Sequence, residues 1–500
     1  MSFMSRLWGS TSPIPFISDH ETPLLQFGDE AWTLEDASRA TLDTGSSGSG
    51  KTSGSGAYLM RAIMRTGAGF LVPCVKSNLA SEVEKIAREC GRERDVIRFS
   101  ADSPWRFNFL EYSKAVSPDG FDVNLGEALV AAADAAQISN SAQGGGDNPF
   151  FRQMAEQAAM SVLPFLKETE PQIELRDMMR FLDSAPTAPE QVKDPDWLKT
   201  SFCAQTLKRC GDLAKQGNAE AARIAEEYGA FWLQRWPQMG DRTRSSVVAT
   251  LTSTIKGLLS GKLHEIFCTS TNLVPEMTHE GAIIILDFSE HEYGATGLIA
   301  QQIFKTLWMR SITQREITKG MRKICLWVDE AQALVSPIDA IFLSVSREYG
   351  ALPVYLTQDM EALKASMGGE NAEARVNQFI AKFGTLIMHS NGCPTTNNHG
   401  AQLIGKVTKY RMTNSVTGGT NTSKGDETGL HAGGGTNRGW SRNYTTYEDY
   451  DVPPEYFANK LRTGGKANRL LVDAILIRSA RPWKSSGTNR LKVTFHQKVR

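Results

Sequence analysis

Short apolar runs and helical periodicities alternate along this chain. After an irregular, Pro-bearing start over residues 1–37, "ATLDTG" (40–45) is a brief run that stops at a glycine-rich stretch. "AYLMRAIMRT" (57–66) then puts Ala57, Met60, Ile63 and Met64 on one helical face. "GFLVPCVK" (69–76) predicts a buried strand. "SEVEKIARECG" predicts an amphipathic helix stopped by Gly91, and "DVIRFS" (95–100) another strand. The order strand–loop–helix–strand–helix–strand is that of a parallel sheet with helical crossovers.

From Tyr112 to about Pro275 the pattern turns helical. "GEALVAAADAAQ" (126–137), "FFRQMAEQAAMSVLPFLK", "AEAARIAEEYGAFWLQRW" and "TRSSVVATLTSTIKGLL" carry it, and no strand pattern interrupts them. Strand patterns return at 281–289, 323–331, 352–358 and 384–390, apolar almost throughout, as strands covered on both faces must be. "AILIRSARPW" and "LKVTFHQ" read as added edge strands. Residues 412–445 are rich in Gly, Thr, Asn and Ser and predict a mobile loop or interaction segment. The predicted class is α/β, a parallel-rich core with an inserted all-α domain. A segment over 1–37 precedes a discontinuous core (38–111 and 276–485). The insertion spans 112–275, the flexible loop 412–445, and a basic C-terminal segment 486–500.

Composition narrows this only a little. Five hundred residues, 41% hydrophobic and 22% charged, suit a soluble chain of two or three domains. Lys plus Arg and Asp plus Glu are 55 each, so net charge exerts no pull on a polyanion. The stretch from Lys460 to Arg500 is uneven, with eleven Lys or Arg and one acid, Asp473. It reads as a solvated basic surface or a polyanion contact. Seven cysteines without a C-x-x-C pair predict reduced thiols, a cytosolic compartment and no structural metal. No run reaches the ~18 apolar residues of a membrane span.

The chemistry concentrates in "DTGSSGSGKTSGSG" (43–56). Gly45-x-x-x-x-Gly50-Lys51-Thr52 has the spacing of a phosphate-binding loop. An apolar strand precedes it and an amphipathic helix follows. Glycines at 45, 48 and 50, with Ser49 and Ser53, let successive N–H groups converge on an anion at a helix N-terminus. Lys51 reaches the β- and γ-phosphates, and the Thr52 hydroxyl helps hold Mg²⁺. The bound ligand is then a triphosphate with Mg²⁺. "ICLWVDEAQ" ends a strand in Asp329, a metal carboxylate, and Glu330, placed to polarise the attacking water. Gln358, after "YLT", reads as a γ-phosphate sensor or as a polar strand cap. Arg347 in "SVSREYG" reads as a finger for a neighbouring subunit's nucleotide or as a surface ion pair. Arg242 and Arg244 read as helix-capping rather than phosphate contacts. "GKVTKYR" (405–411) reads as a DNA-facing segment or a solvated turn. His389 and Cys393 read as structural.

These parts, in this order, resemble the type IV secretion coupling ATPases of the TraG/TraD type, within the FtsK/HerA group of DNA-pumping ATPases. The resemblance runs from about residue 24 to 485. It rests on "LDTGSSGSGKTSG", "WRFNFLEY", "NPFFRQMAEQ", "RTRSSVVATLTSTI", "GAIIILDFSEHEYG", "LWVDEAQAL", "SREYGALPVYLTQD" and "YDVPPEYFANKLRTGG". It implies a RecA-like motor domain with an all-α insertion, and a hexameric ring with ATP at subunit boundaries. Lys51, Thr52, Asp329, Glu330, Gln358 and Arg347 fall where the family's catalytic set falls, Arg347 as the trans-acting finger. It further implies DNA, single-stranded by preference, with a relaxase or effector protein, delivered to a secretion channel at the inner membrane.

Three departures stand out: no N-terminal membrane helices, Cys74 and Val75 in place of an acid before Lys76, and Phe109 in place of a proline. The expected location is cytoplasmic, peripheral at the membrane through a partner. Two alternatives share the motifs. One is a HerA-like double-strand DNA pump in processing or defence. The other is a substrate-docking receptor whose ATP site drives ring assembly.

Overall fold

A computed structural model describes residues 15–116, 125–126, 128–129, 149–368, 371–422 and 434–498. The helix expected at 126–137 and the chain start before residue 15 lie largely outside them. The strands are β1 (Pro23–Phe27), β2 (Glu30–Thr33), β3 (Thr41–Thr44), β4 (Gly69–Pro73), β5 (Val96–Phe99), β6 (Ile283–Leu286), β7 (Ile324–Val328), β8 (Ala351–Thr357), β9 (Thr385–Met388), β10 (Lys406–Thr422), β11 (Gly434–Tyr450), β12 (Leu471–Arg478) and β13 (Arg490–His496).

One nine-stranded sheet runs β13–β12–β9–β3–β8–β7–β4–β6–β5. From β9 to β5 every pairing is parallel; β12 and β13 are added antiparallel at one edge. The central strands are buried along their length, which is why they read as unbroken apolar runs rather than alternations. On one face lie the helices Ala57–Arg65 and Leu79–Glu89, packed with Trp32, Trp327, Trp483 and Phe495. The other face is covered by the helix Glu290–Thr313, whose Phe304 and Trp308 enter a core shared with the helices that follow Phe109.

Between Val116 and Pro275 the described residues contain helices and no strand. Their centre is aromatic: Trp232 packs against Phe181, Phe231 and Trp236 with ring centroids 4.9–5.1 Å apart. No helix among the described residues is long and apolar enough to cross a membrane.

Two sequence expectations are corrected. The start is not irregular throughout: β1 and β2 pair as a hairpin around Gly28-Asp29, and a short helix, Leu34–Ser38, follows. Its strands are too short to show a period, yet Trp32 and Leu34 are fully buried. Residues 412–445 are not a loop over their described part. β10 and β11, 17 residues each, pair in continuous register from Lys406↔Tyr450 to Thr422↔Gly434. Their large side chains are exposed rather than buried and stand among Gly, Thr, Asn and Ser, so the composition reads as a loop. The edge strand read from "LKVTFHQ" is present as Arg490–His496, within the basic segment 486–500.

Candidate functional site

Parallel strands carry their C-terminal ends to one edge. There Thr44 lies opposite Thr357 and Met388, and Val328 opposite Tyr355. The residues that follow these strands therefore converge: Gly45, Asp329, Gln358 and His389. This is the edge where open α/β sheets bind ligands.

The Gly45–Thr52 loop is held on both sides. Gly45 N–H donates to the Gln358 carbonyl at 3.2 Å and Ser46 N–H to the Ser390 carbonyl at 3.0 Å. Gly48 and Gly50 sit at φ +75° and +89°, the left-handed region open to glycine. Gly50 is doubly required, because a Cβ there would come within 2.6 Å of Val472 on β12. The loop enters its helix through a widened π turn, Thr52–Gly56. Lys51 is buried and donates to its own loop's Gly45 carbonyl at 3.1 Å.

A buried cluster supports the loop from beneath. Ser55 Oγ bonds Asp43, and His389 Nε2 lies 2.7 Å from Ser55 Oγ and 3.4 Å from Asp43 Oδ1. His389 Nδ1 donates to the Asp473 carbonyl at 3.1 Å, tying the loop's helix to β12. The structural reading of His389 thus acquires a definite task. From the chain's end, Gln497 Nε2 donates to Ser53 Oγ at 2.8 Å. Sequence reasoning assigned nothing to Gln497 or Val472, because contacts over four hundred residues apart leave no local pattern.

Across the cleft β7 delivers Asp329 and Glu330. Asp329 is buried, with Oδ1 accepting from Glu330 N–H at 3.0 Å and Oδ2 lacking a hydrogen-bond partner among the described residues. Glu330 stands at φ +54°, a conformation non-glycine residues rarely adopt and one that collects at functional sites. Its Oε2 accepts from Gln332 and, at 3.2 Å, from Gln358 Nε2. Lys76, beyond β4, places its ammonium on Glu330 Oε1 and 3.9 Å from Asp329 Oδ2.

Electrostatics separates the two acids. Burial raises the Asp329 carboxyl above its ordinary range, against the pull of Lys76 and Lys51. Burial also pushes Glu330 up, but Lys76, Lys51 and Gln332 outweigh it and hold it low. Lys76 is the residue that sequence reasoning passed over. Its one sequence signal is a lysine just past the end of a buried parallel strand.

Ser49, Gly50, Lys51, Thr52, Lys76, Asp329 and Glu330 line one cleft of about 480 Å³, within the range of small-ligand pockets. Two buried oxygens at this cleft, Ser49 Oγ and Asp329 Oδ2, lack a hydrogen-bond partner among the described residues. Between the carboxylates the Lys76 ammonium already stands in as a cation. The donor set therefore fits a nucleotide phosphate chain with a divalent metal: loop N–H groups and Lys51 for phosphate, Thr52 and Asp329 for the ion.

Arg347 is elsewhere. It precedes β8 while Gln358 follows it, so a seven-residue strand of roughly 23 Å separates it from the cleft. It is half-exposed and bonds Glu35 Oε1 at 2.5 Å. Arg244 is buried and donates to the Pro237 carbonyl at 3.3 Å and to Asp241, a helix-start contact, and it does not line the cleft.

No protein-family model matches the chain, and no curated protein matches it. Solved structures do. A bacterial conjugative coupling protein, TrwBdeltaN70 in its unbound monoclinic form, superposes with a TM-score of 0.57 at 14% identity, covering 99% of this chain and 91% of that one. TrwB with the non-hydrolysable ATP analogue ADPNP gives 0.53 at 15% identity, covering 99% and 93%. TrwB with ADP and Mg²⁺ gives 0.55 at 13%, covering 99% and 91%. The chain has the RecA-like NTPase fold of these coupling proteins over nearly its whole described length.

Proposed function

We propose that this chain is an ATP-hydrolysing coupling protein that moves DNA, or a relaxase–DNA complex, towards a type IV secretion channel. It works as a ring of six on the cytoplasmic side of the inner membrane, docked through a partner. The observation that carries the reading is the meeting, in one cleft, of loop residues Ser47–Thr52 with Asp329 and Glu330, the latter held by Gln358, on a fold shared with proteins solved with ATP analogues and Mg²⁺.

The residues divide the work. The loop's N–H groups, at the head of a helix, and the Lys51 ammonium bind the phosphate chain of ATP. Lys51 exchanges the Gly45 carbonyl for phosphate oxygens. Thr52 and Asp329 would hold the metal, which would supply charge neutralisation at the transferred phosphoryl group. Glu330, kept anionic, orients water and takes up its proton at Oε. Gln358 links this carboxylate to the loop, because its amide touches Glu330 while its carbonyl accepts from Gly45. Arg347 acts on the nucleotide of the adjoining subunit after leaving Glu35, since its own cleft is out of reach.

The test is the ATPase rate with and without DNA. Glu330→Gln should lower turnover about 10²–10⁴-fold, and Lys51→Ala should abolish nucleotide binding. DNA should accelerate the wild type. A wild-type rate equal to that of Lys51→Ala would overturn the reading.

A further inference from the structure

The β10–β11 hairpin plays no part in the cleft. Beyond its base it is exposed on both faces, with Trp440 77%, Tyr410 74%, Tyr444 68%, Val416 57% and Met412 52% exposed. The register sorts them. Tyr410, Met412 and Val416 alternate along β10, and their partners Thr446, Tyr444 and Trp440 along β11, so all five large side chains share one face. On that same face β11 reads Arg438, Trp440, Arg442, Tyr444, a guanidinium and an aromatic ring in strict alternation, each about 7 Å from the next of the four.

The opposite face holds Arg411, Thr413, Ser415 and Thr417, with Arg411 over the Tyr447 ring at 5.2 Å. Over the two strands there are five cations, Lys406, Lys409, Arg411, Arg438 and Arg442, against two acids, Glu448 and Asp449, on a chain whose Lys plus Arg and Asp plus Glu are equal overall. Lys409 neutralises Asp449 at 2.9 Å. Arg438 and Arg442 have no ion-pair partner among the described residues.

We propose that this face is a platform for single-stranded nucleic acid, with bases stacked on Tyr410, Trp440 and Tyr444 and phosphates held by Arg438 and Arg442. Rings in register with cations match the repeat of base and phosphate along a single strand, and stacking tolerates any sequence. A membrane surface calls for a continuous apolar face with the cations at its rim. A protein interface is also rich in Trp, Tyr, Met and Arg, but it imposes no regular alternation of ring and guanidinium along a strand. Here Arg442 stands between the two largest rings. The proposal rests on the reading of the chain as a DNA-handling protein and assigns where the strand is gripped.

The test uses the full-length protein without ATP and a fluorescein-labelled oligothymidylate of about 20 nucleotides, longer than one stacking platform. Anisotropy titrations at several salt concentrations compare wild type with Trp440→Ala/Tyr444→Ala and with Arg438→Gln/Arg442→Gln. All four side chains are exposed, so folding is not at stake. The aromatic pair should weaken binding at least tenfold with an unchanged salt slope. The arginine pair should reduce the slope of log K against log salt by about 1.4, from 0.7 per phosphate contact on single strands.

Unchanged oligonucleotide affinity in both variants overturns the proposal. So does loss of binding to phosphatidylglycerol vesicles, or of self-association in sedimentation, with oligonucleotide affinity intact. ATPase is followed in the same preparations. Unchanged affinity with DNA-stimulated hydrolysis retained removes the hairpin platform alone. Absent hydrolysis with the oligonucleotide effects present removes the motor reading alone.

Discussion

The Lys76 ammonium sits on Glu330 Oε1, and its second carboxylate, Asp329 Oδ2, is 3.9 Å away. A positive charge thus lies between the two acids that the cleft would use for metal and water. Without nucleotide, an ammonium and a divalent cation compete for the same oxygens.

Removing that competitor should favour the ion. Lys76→Met is expected to bind Mn²⁺ about tenfold more tightly than wild type in the absence of nucleotide, a modest share of the attraction between charges 4 Å apart near a protein surface. Electron paramagnetic resonance of free Mn²⁺ measures this. Equal affinities would show that Lys76 does not occupy the ion's position.

The left-handed backbone at Glu330 costs stability that glycine would not pay. Comparing Glu330→Gly with Glu330→Ala isolates this, because both lose the carboxylate and only alanine keeps a Cβ at φ +54°. Glu330→Gly should be the more stable by about 1 kcal/mol, with both inactive. Thermal melts of the two variants decide it. Alanine equal to or above glycine would mean the backbone relaxes freely.

Beneath the β7 loop, Lys305 and Asp339 form a fully buried ion pair at 2.8 Å. Asp339 also accepts from Tyr355 Oη at 2.6 Å and Ser336 N–H at 2.8 Å, joining β8 to two helices. Removing one partner strands a charge, so Lys305→Met or Asp339→Ala should each cost about 3–5 kcal/mol. The double variant should cost much less than their sum. Denaturation of the three proteins tests this, and additive losses would refute the coupling.

Acid should release the C-terminal edge of the sheet. Burial raises the Asp473 carboxyl, but bonds from Arg462 and Thr494 outweigh it and hold it at about 2, against an ordinary 3.8. A folded value below the unfolded one means the unfolded chain binds more protons between them. The contribution is full above about pH 4 and is lost as pH falls towards 2. Asp473→Asn should flatten that part of the stability–pH curve, read from melting temperatures at stepped pH; an unchanged slope would disprove it.

Sequence by itself determined the α/β class, the nine sheet strands, the run of helices between them, and the loop, acid pair and glutamine of the cleft. These follow from short-range rules. A buried parallel strand must be apolar throughout, and a phosphate loop must be glycine-rich at fixed spacing between strand and helix. Only the tertiary structure decided what joins distant parts. It set Lys76 between Asp329 and Glu330, brought Val472 and Gln497 against the loop, packed His389 under it through Ser55 and Asp43, and put Arg347 at the sheet's other edge. It also paired 406–422 with 434–450, strands that never enter the core and whose Gly, Thr, Asn and Ser content reads as a loop. Such contacts arise from strand order and register, which no local pattern encodes, because a side chain's neighbours across a sheet come from wherever the chain returns.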